Sequence, residues 1–117
     1  MGAVAETELA RAALAAGDAE GALASATHAE KVLARIEDDR QRASALRAIG
    51  AAEDARGDHA ASDRAYREAI ALVTKIDHHA DRAAIATEYA MKLRARGETD
   101  QAFRYLELAR TPATNRS

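Results

Sequence analysis

Three glycines, Gly17, Gly57 and Gly97, stand forty residues apart, and each is followed by an acid: Asp18, Asp58 and Glu98. The phrase around them recurs as well. Ala15-Ala16-Gly17-Asp18-Ala19-Glu20-Gly21-Ala22 returns around Arg56-Gly57-Asp58 and again in Ala95-Arg96-Gly97-Glu98-Thr99-Asp100-Gln101-Ala102. The same offset pairs Val32-Leu33-Ala34-Arg35-Ile36-Glu37 with Leu72-Val73-Thr74-Lys75-Ile76-Asp77, Arg42-Ala43 with Arg82-Ala83, and Ala29 with Ala69. Glycine after a helical run takes the left-handed conformation that closes a helix, and an acid beside it caps the next one. A period of about forty residues holding two helical segments is the signature of an array of helix pairs.

Composition agrees with helices throughout. Alanine dominates, Pro112 is the one proline and lies outside the periodic stretches, and strand formers never alternate over a useful length. At 117 residues the chain suits one domain. Residues 1–110 are read as a single domain (units of about 4–37, 38–77 and 78–110), and 111–117 as a flexible tail with no apolar anchor. Tryptophan is absent and Phe103 is the one phenylalanine. The expected core therefore consists of many small alanine contacts, each burying little area at about 25 cal/mol per Å², and not of one aromatic cluster.

A formal net charge of −2 with interspersed signs argues against a nucleic-acid footprint. No cysteine is present to form a disulfide or a thiolate site. No apolar run approaches membrane-spanning length, and the N-terminus lacks a signal or myristoylation pattern. A soluble cytoplasmic protein is the expectation, with neither nucleic acid nor membrane as partner.

Taken in order, helix 1 is expected over Val4 to Ala16 with Leu9, Ala13 and either Ala16 or Leu14 inward. Helix 2 runs from Ala19 to about Ile36 on a stripe of Ala22, Leu23, Ala26, Ala29, Val32, Leu33 and Ile36. Gly21 near its start reads either as simple tolerance or as a close helix crossing. Asp38 or Asp39 caps helix 3, about Arg40 to Arg56, with Ala43, Leu46, Ile49 and Gly50 inward and Glu53 half-exposed beside an arginine. Helix 4 follows Asp58 and carries Ser62, Ala65 or Tyr66, Ala69, Leu72, Val73 and Ile76. Asp77 or His78 opens helix 5, with Ala83, Ile85, Ala86, Tyr89, Ala90 and Leu93 inward, and Gly97 ends it. Thr99 is a plausible cap for helix 6, which bears Ala102, Phe103, Leu106 and Ala109, with Tyr105 facing solvent.

The chain from residue 4 to 110 resembles the tetratricopeptide-type family of paired-helix repeats. Gly50 and Gly57 stand seven residues apart where that family places a glycine late in the first helix and another at the turn, with Ser62, Tyr66 and Ala69 following in the second helix. Ala10, Gly17, Ala22, Ala26 and Ala29 hold the matching places in the first unit, and Ala90, Gly97, Ala102, Leu106 and Ala109 in the third. The chain departs from the family in repeat length, about forty residues instead of thirty-four. Leu46 and Ala86 replace an early aromatic, and the proline that ends each repeat is missing. The resemblance implies an all-α fold of six helices, a right-handed superhelix of three antiparallel hairpins. It also implies a concave face, lined by the first helix of each pair, that binds a peptide or protein segment. On the matching positions that face would present Arg11, Leu14, Ser44, Arg47, Asp54, Thr87, Met91 and Arg94. Arg11, Arg47 and Arg94 would receive carboxylates and Met91 would give an adaptable apolar contact. The asparagine and lysine set that clamps a C-terminal carboxylate in some relatives is not present.

Residues for catalysis or metal binding do not assemble into a pattern. The sequence has no phosphate loop, no zinc-protease histidine pair and no nucleophile elbow. His78 and His79 are adjacent and diverge on a helix, while His59 and Asp63 supply two ligands where structural zinc takes four. The expectation is a non-enzymatic interaction module with no cofactor and no metal. Self-association as a homo-oligomer through the terminal unit, at Phe103 and Leu106, is the second reading. A regulatory part of a larger signalling protein is the third, ranked lower because the short chain starts with methionine.

Overall fold

A computed structural model describes residues 2–110; the tail expected at 111–117 lies outside the described residues. Among the described residues there are six α-helices: α1 (Ala3–Ala15), α2 (Ala19–Arg35), α3 (Asp39–Arg56), α4 (His59–Lys75), α5 (His79–Ala95) and α6 (Thr99–Arg110). No strand occurs among the described residues. None of the helices is long and apolar enough to cross a membrane.

The corners between helices recur every twenty residues, at half the spacing visible in the sequence. Gly17, Glu37, Gly57, Asp77 and Gly97 all have positive φ, between 57° and 87°. At each corner the next N–H turns back to the carbonyl five residues earlier: Asp18 to Ala13, Asp38 to Leu33, Asp58 to Glu53, His78 to Val73 and Glu98 to Leu93, at 2.8 to 3.1 Å. That bond satisfies a carbonyl which the helix end would otherwise leave open. The following helix is then capped. Asp18, Asp38, Asp58 and His78 accept the backbone N–H of Gly21, Gln41, Ala61 and Asp81 respectively. Asp38, not Asp39, thus caps α3, and His78 stands where three of the other corners have aspartate and the last has Glu98. Thr99 is the first residue of α6 and not its cap.

Each helix packs against the next, and the one substantial contact beyond neighbours is α1 on α3. The molecule measures 42 × 34 × 20 Å. In the N-terminal half the contacts are small: Ala10, Ala22, Ala26, Ala48 and Ala52 form one cluster, and Ala29, Leu33 and Ala45 another. The C-terminal half corrects the expectation of a core without an aromatic cluster. Tyr66 of α4 stacks on Tyr89 of α5 with ring centroids 5.1 Å apart, and Tyr105 of α6 meets Tyr89 edge-on at 4.6 Å. Tyr105 is consequently half-buried against this core and does not face solvent.

Space for Tyr66 comes from Gly50. A Cβ at residue 50 would lie 2.7 Å from the Tyr66 ring, too close for any real contact. The Ser62 hydroxyl donates to the Gly50 carbonyl at 2.7 Å, which holds α3 and α4 together at this crossing. Forty residues to either side, alanine (Ala10, Ala90) takes the glycine's place, and Ala26 or Leu106 replaces the tyrosine. Gly21 has no such role: the group nearest its missing Cβ is the Asp18 carboxylate, a flexible side chain and not a crossing helix.

Three apolar residues expected inside are exposed. Leu9 is 50%, Ile36 63% and Ile76 37% accessible. Ile36 and Ile76 sit at the last residue before a corner, where the chain has already left the helix stripe. Leu9 faces away from α2, and α1 instead buries Thr7 and Ala10. Glu53 behaves as its neighbours suggested, pairing with Arg56 at 2.6 Å.

Two substitutions test these features. Gly50→Ala should cost about 1–3 kcal/mol through overpacking, and a Tyr66→Leu background should remove most of that increment; an additive double-mutant cycle in urea denaturation would refute the pairing. Glu37→Gly and Asp77→Gly should each raise stability by about 0.5–1 kcal/mol, because a left-handed residue with a Cβ is strained. An unchanged or lower urea midpoint would argue against strain at these corners.

Candidate binding groove

Helices α1, α3 and α5 share one face, and two adjoining hollows lie along it. The first, about 250 Å³, is lined by Arg11, Leu14 and Ala15 of α1, by Ser44, Arg47, Ala48 and Ala51 of α3, and by Glu88 of α5. The second, about 200 Å³, is bounded by Arg11, Arg40, Gln41, Ser44, Arg47, Asp81 and Ile85. Arg11, Ser44 and Arg47 border both. Small side chains on α3 make the depression, because alanine and serine leave the space that a longer residue would fill.

The charges on this face are unequally committed. Arg47 directs both Nε and Nη2 to one oxygen of Glu88, at 2.7 and 2.6 Å. The other Glu88 oxygen accepts the Tyr66 hydroxyl. Tyr66 itself is fully buried and reaches this carboxylate from α4. Its hydroxyl is pushed well above the ordinary tyrosine value, first by burial and then by the Glu88 charge. Arg40 pairs with Asp81 at 3.2 Å near the second hollow. Arg11 is different: it is exposed, and its ion pair is a 3.9 Å approach to Glu8 on its own helix.

Of the residues expected on this face, Arg11, Leu14, Ser44 and Arg47 come together. The other four line neither hollow. Asp54 lies 3.6 Å from both Lys92 and His59. The Thr87 hydroxyl is spent on the Ala83 carbonyl at 2.7 Å. Met91 and Arg94 are exposed further along α5. The three arginines therefore do not form one site: two meet, and one of those two is already held by Glu88. Glu88 is the residue that sequence reading passed over. A signal existed, since a buried tyrosine needs an acceptor for its hydroxyl and Glu88 is the acid beside Ile85 and Tyr89 on the neighbouring apolar stripe.

Elsewhere, Phe103 on α6 is 61% exposed, while Leu106 is partly buried against the tyrosine core. The histidines are engaged locally. His28 meets Glu6 at 2.8 Å, His78 caps α5, and His79 approaches Asp77 at 4.0 Å. No three potential metal ligands gather among the described residues.

The tyrosine core makes stability depend on alkaline pH. Burial, and next the adjacent Asp63, push Tyr89 up to about 12, and Tyr66 is raised further. The unfolded chain loses these protons near pH 10 while the folded chain retains them. Above about pH 10 the unfolded state therefore binds fewer protons, and stability falls as pH rises, with a slope of up to two protons. Urea midpoints at pH 9 and 11 should differ accordingly, and the 295 nm absorbance of native protein at pH 11 should show no more than one ionised tyrosine. Ionisation of all three with native circular dichroism would contradict the buried stack.

Compared with known protein families, with curated proteins and with solved structures, the chain finds no match in any of the three.

Proposed function

We propose that this chain is a non-enzymatic interaction module of tetratricopeptide type, three helical hairpins stacked as a right-handed superhelix, which takes up a peptide or protein segment along the face of α1, α3 and α5. The observation that carries this reading is the pair of adjoining hollows bordered by alternate helices of the chain. Alternate helices share a face when successive hairpins stack in the same sense, and small side chains on the middle one leave a trough. A preformed trough between helices limits the ordering cost of binding.

The ligand chemistry follows from which groups are free. Leu14, Ala48 and Ala51 offer an apolar wall, and Arg11 offers a guanidinium with a weak competitor. An apolar residue flanked by aspartate or glutamate fits that combination. Arg47 contributes as part of a fixed pair, since withdrawing it from Glu88 would leave a half-buried carboxylate uncompensated. The same engagement speaks against catalysis. The carboxylate in the hollow is held by an arginine and a hydroxyl, and so has little capacity to act as a base.

Selection of peptides against the immobilised chain, followed by calorimetric titration, tests the proposal. Arg11→Glu should weaken a selected acidic-apolar peptide by about tenfold or more, the scale of one charge-assisted hydrogen bond. Arg64→Glu, an exposed change on α4, should leave affinity unchanged. Equal affinity in Arg11→Glu, or loss in Arg64→Glu, would move the binding surface elsewhere.

A further inference from the structure

We infer that the chain also stacks head to tail on copies of itself, with the outer face of α6 of one copy covering the outer face of α1 of the next. Each of these faces has a buried counterpart inside the molecule. On α3, Ala45, Ala48 and Ala52 are buried at 0, 5 and 0% accessibility, in clusters that include Ala22, Ala26, Ala29 and Leu33 of α2. Forty residues earlier, Glu8 and Ala12 occupy the places of Ala48 and Ala52 on α1, and both are exposed. Leu9 holds the place of Ile49, which packs against the core, and of Tyr89, which is fully buried; Leu9 is 50% exposed. At the other end, Ala29 and Ala69 are fully buried while Ala109 in the same place on α6 is only partly so. Phe103 takes the position of half-buried Leu23 and is 61% exposed. Among the described residues no helix covers either face.

The partner is identified by what meets at the internal junctions. Leu23 of α2 belongs to the cluster that holds Ala48 and Ala52 of α3. Carried forward by the same register, Phe103 of one copy lies over Glu8 and Ala12 of the next, where alanine leaves room for the ring, and Leu106 comes to Leu9. The charges agree in part. Internally, Arg96 of α5 pairs with Asp63 of α4 at 3.1 Å, and Arg56 of α3 with Glu20 of α2 at 2.7 Å. At the outer faces Phe103 replaces Asp63 and Ala16 replaces the arginine, so both members of the Arg96–Asp63 pair have become apolar together. Two acids remain at the contact: Asp100 holds the place of Glu20 opposite Ala16, and Glu8, in the place of Ala48, keeps Arg11 of its own helix at 3.9 Å. An α1-on-α6 contact uses two different surfaces, and such a contact does not close after one partner; association grows with concentration.

Sedimentation velocity on the whole chain, on Leu9→Glu, on Phe103→Glu and on their equimolar mixture tests this. Both substitutions lie at exposed positions, and unchanged far-ultraviolet circular dichroism confirms their fold. The unmodified chain should exceed twice the monomer mass as concentration rises into the high micromolar range. Each variant alone should remain at monomer mass. Their mixture should double in mass and stop, because Leu9→Glu keeps an intact α6 face and Phe103→Glu an intact α1 face. A monomer throughout, a Leu9→Glu variant that dimerises alone through α6, or a Phe103→Glu variant that dimerises alone through α1 would each overturn the proposal.

Discussion

The left-handed corner is the constraint on which the rest of this structure depends. Five times, at twenty-residue intervals, one residue of positive φ reverses the chain, and the next residue returns a hydrogen bond to the carbonyl five positions back. A polar side chain then caps the following helix at four of these corners. The bonds end each helix in the same way. The four helices between corners are 17 or 18 residues long. Without that regularity, alanine faces with so little apolar area would have no reason to lie opposite one another.

Within this frame the two halves solve packing differently. The N-terminal half brings helices close through alanine. The C-terminal half admits a tyrosine on α4, and Gly50 on α3 yields the space. That exchange has a consequence in the hollow beside α3. The Tyr66 hydroxyl, carried through the layer, takes one oxygen of Glu88 and leaves the other to Arg47. The floor of the groove is thereby joined to the core, while Arg11 at its edge stays exposed.

The helix count and the corners at 17, 57 and 97 were legible because glycine followed by an acid is a local signal with a local cause. The corners at 37 and 77 have the same geometry, yet acids occupy them, so the twenty-residue spacing was hidden behind one of forty. Inward stripes were read from periodicity alone, which states that a face is apolar but not which neighbour covers it. Leu9 shows the difference: Ile49 and Tyr89 in the same register are covered by a preceding helix, and Leu9 is not. Glu88 escaped notice for a related reason. Its partners come from α3 and α4, 41 and 22 residues away, and pairing across that separation is a property of the packed layer. Arg11, Leu14, Ser44 and Arg47 were found because their positions follow from helix phase. Asp54, Thr87, Met91 and Arg94 share that phase but lie beyond the hollows.

The two proposed surfaces draw on opposite sides of α1. Arg11 and Leu14 point to the groove, whereas Leu9 and Ala12 lie on the outer face. An α-helix turns about 100° per residue, so residues 9 and 12 lie some 60° apart and form one side, and 11 and 14 form another. Glu8 links the two, because it lies under the Phe103 position and is the ion partner of Arg11. In a head-to-tail stack, α1 of the added copy would take the place beside α6 that α3 takes beside α2. Its Arg11 and Leu14 would then follow α5 of the first copy, as Ser44 and Arg47 follow α1. Stacking on this geometry lengthens the groove by whole hairpins, and a long extended segment would span several copies. Binding and assembly would then favour each other, because a ligand spanning two copies binds the stack more tightly than the monomer, and differential affinity is what shifts such an equilibrium.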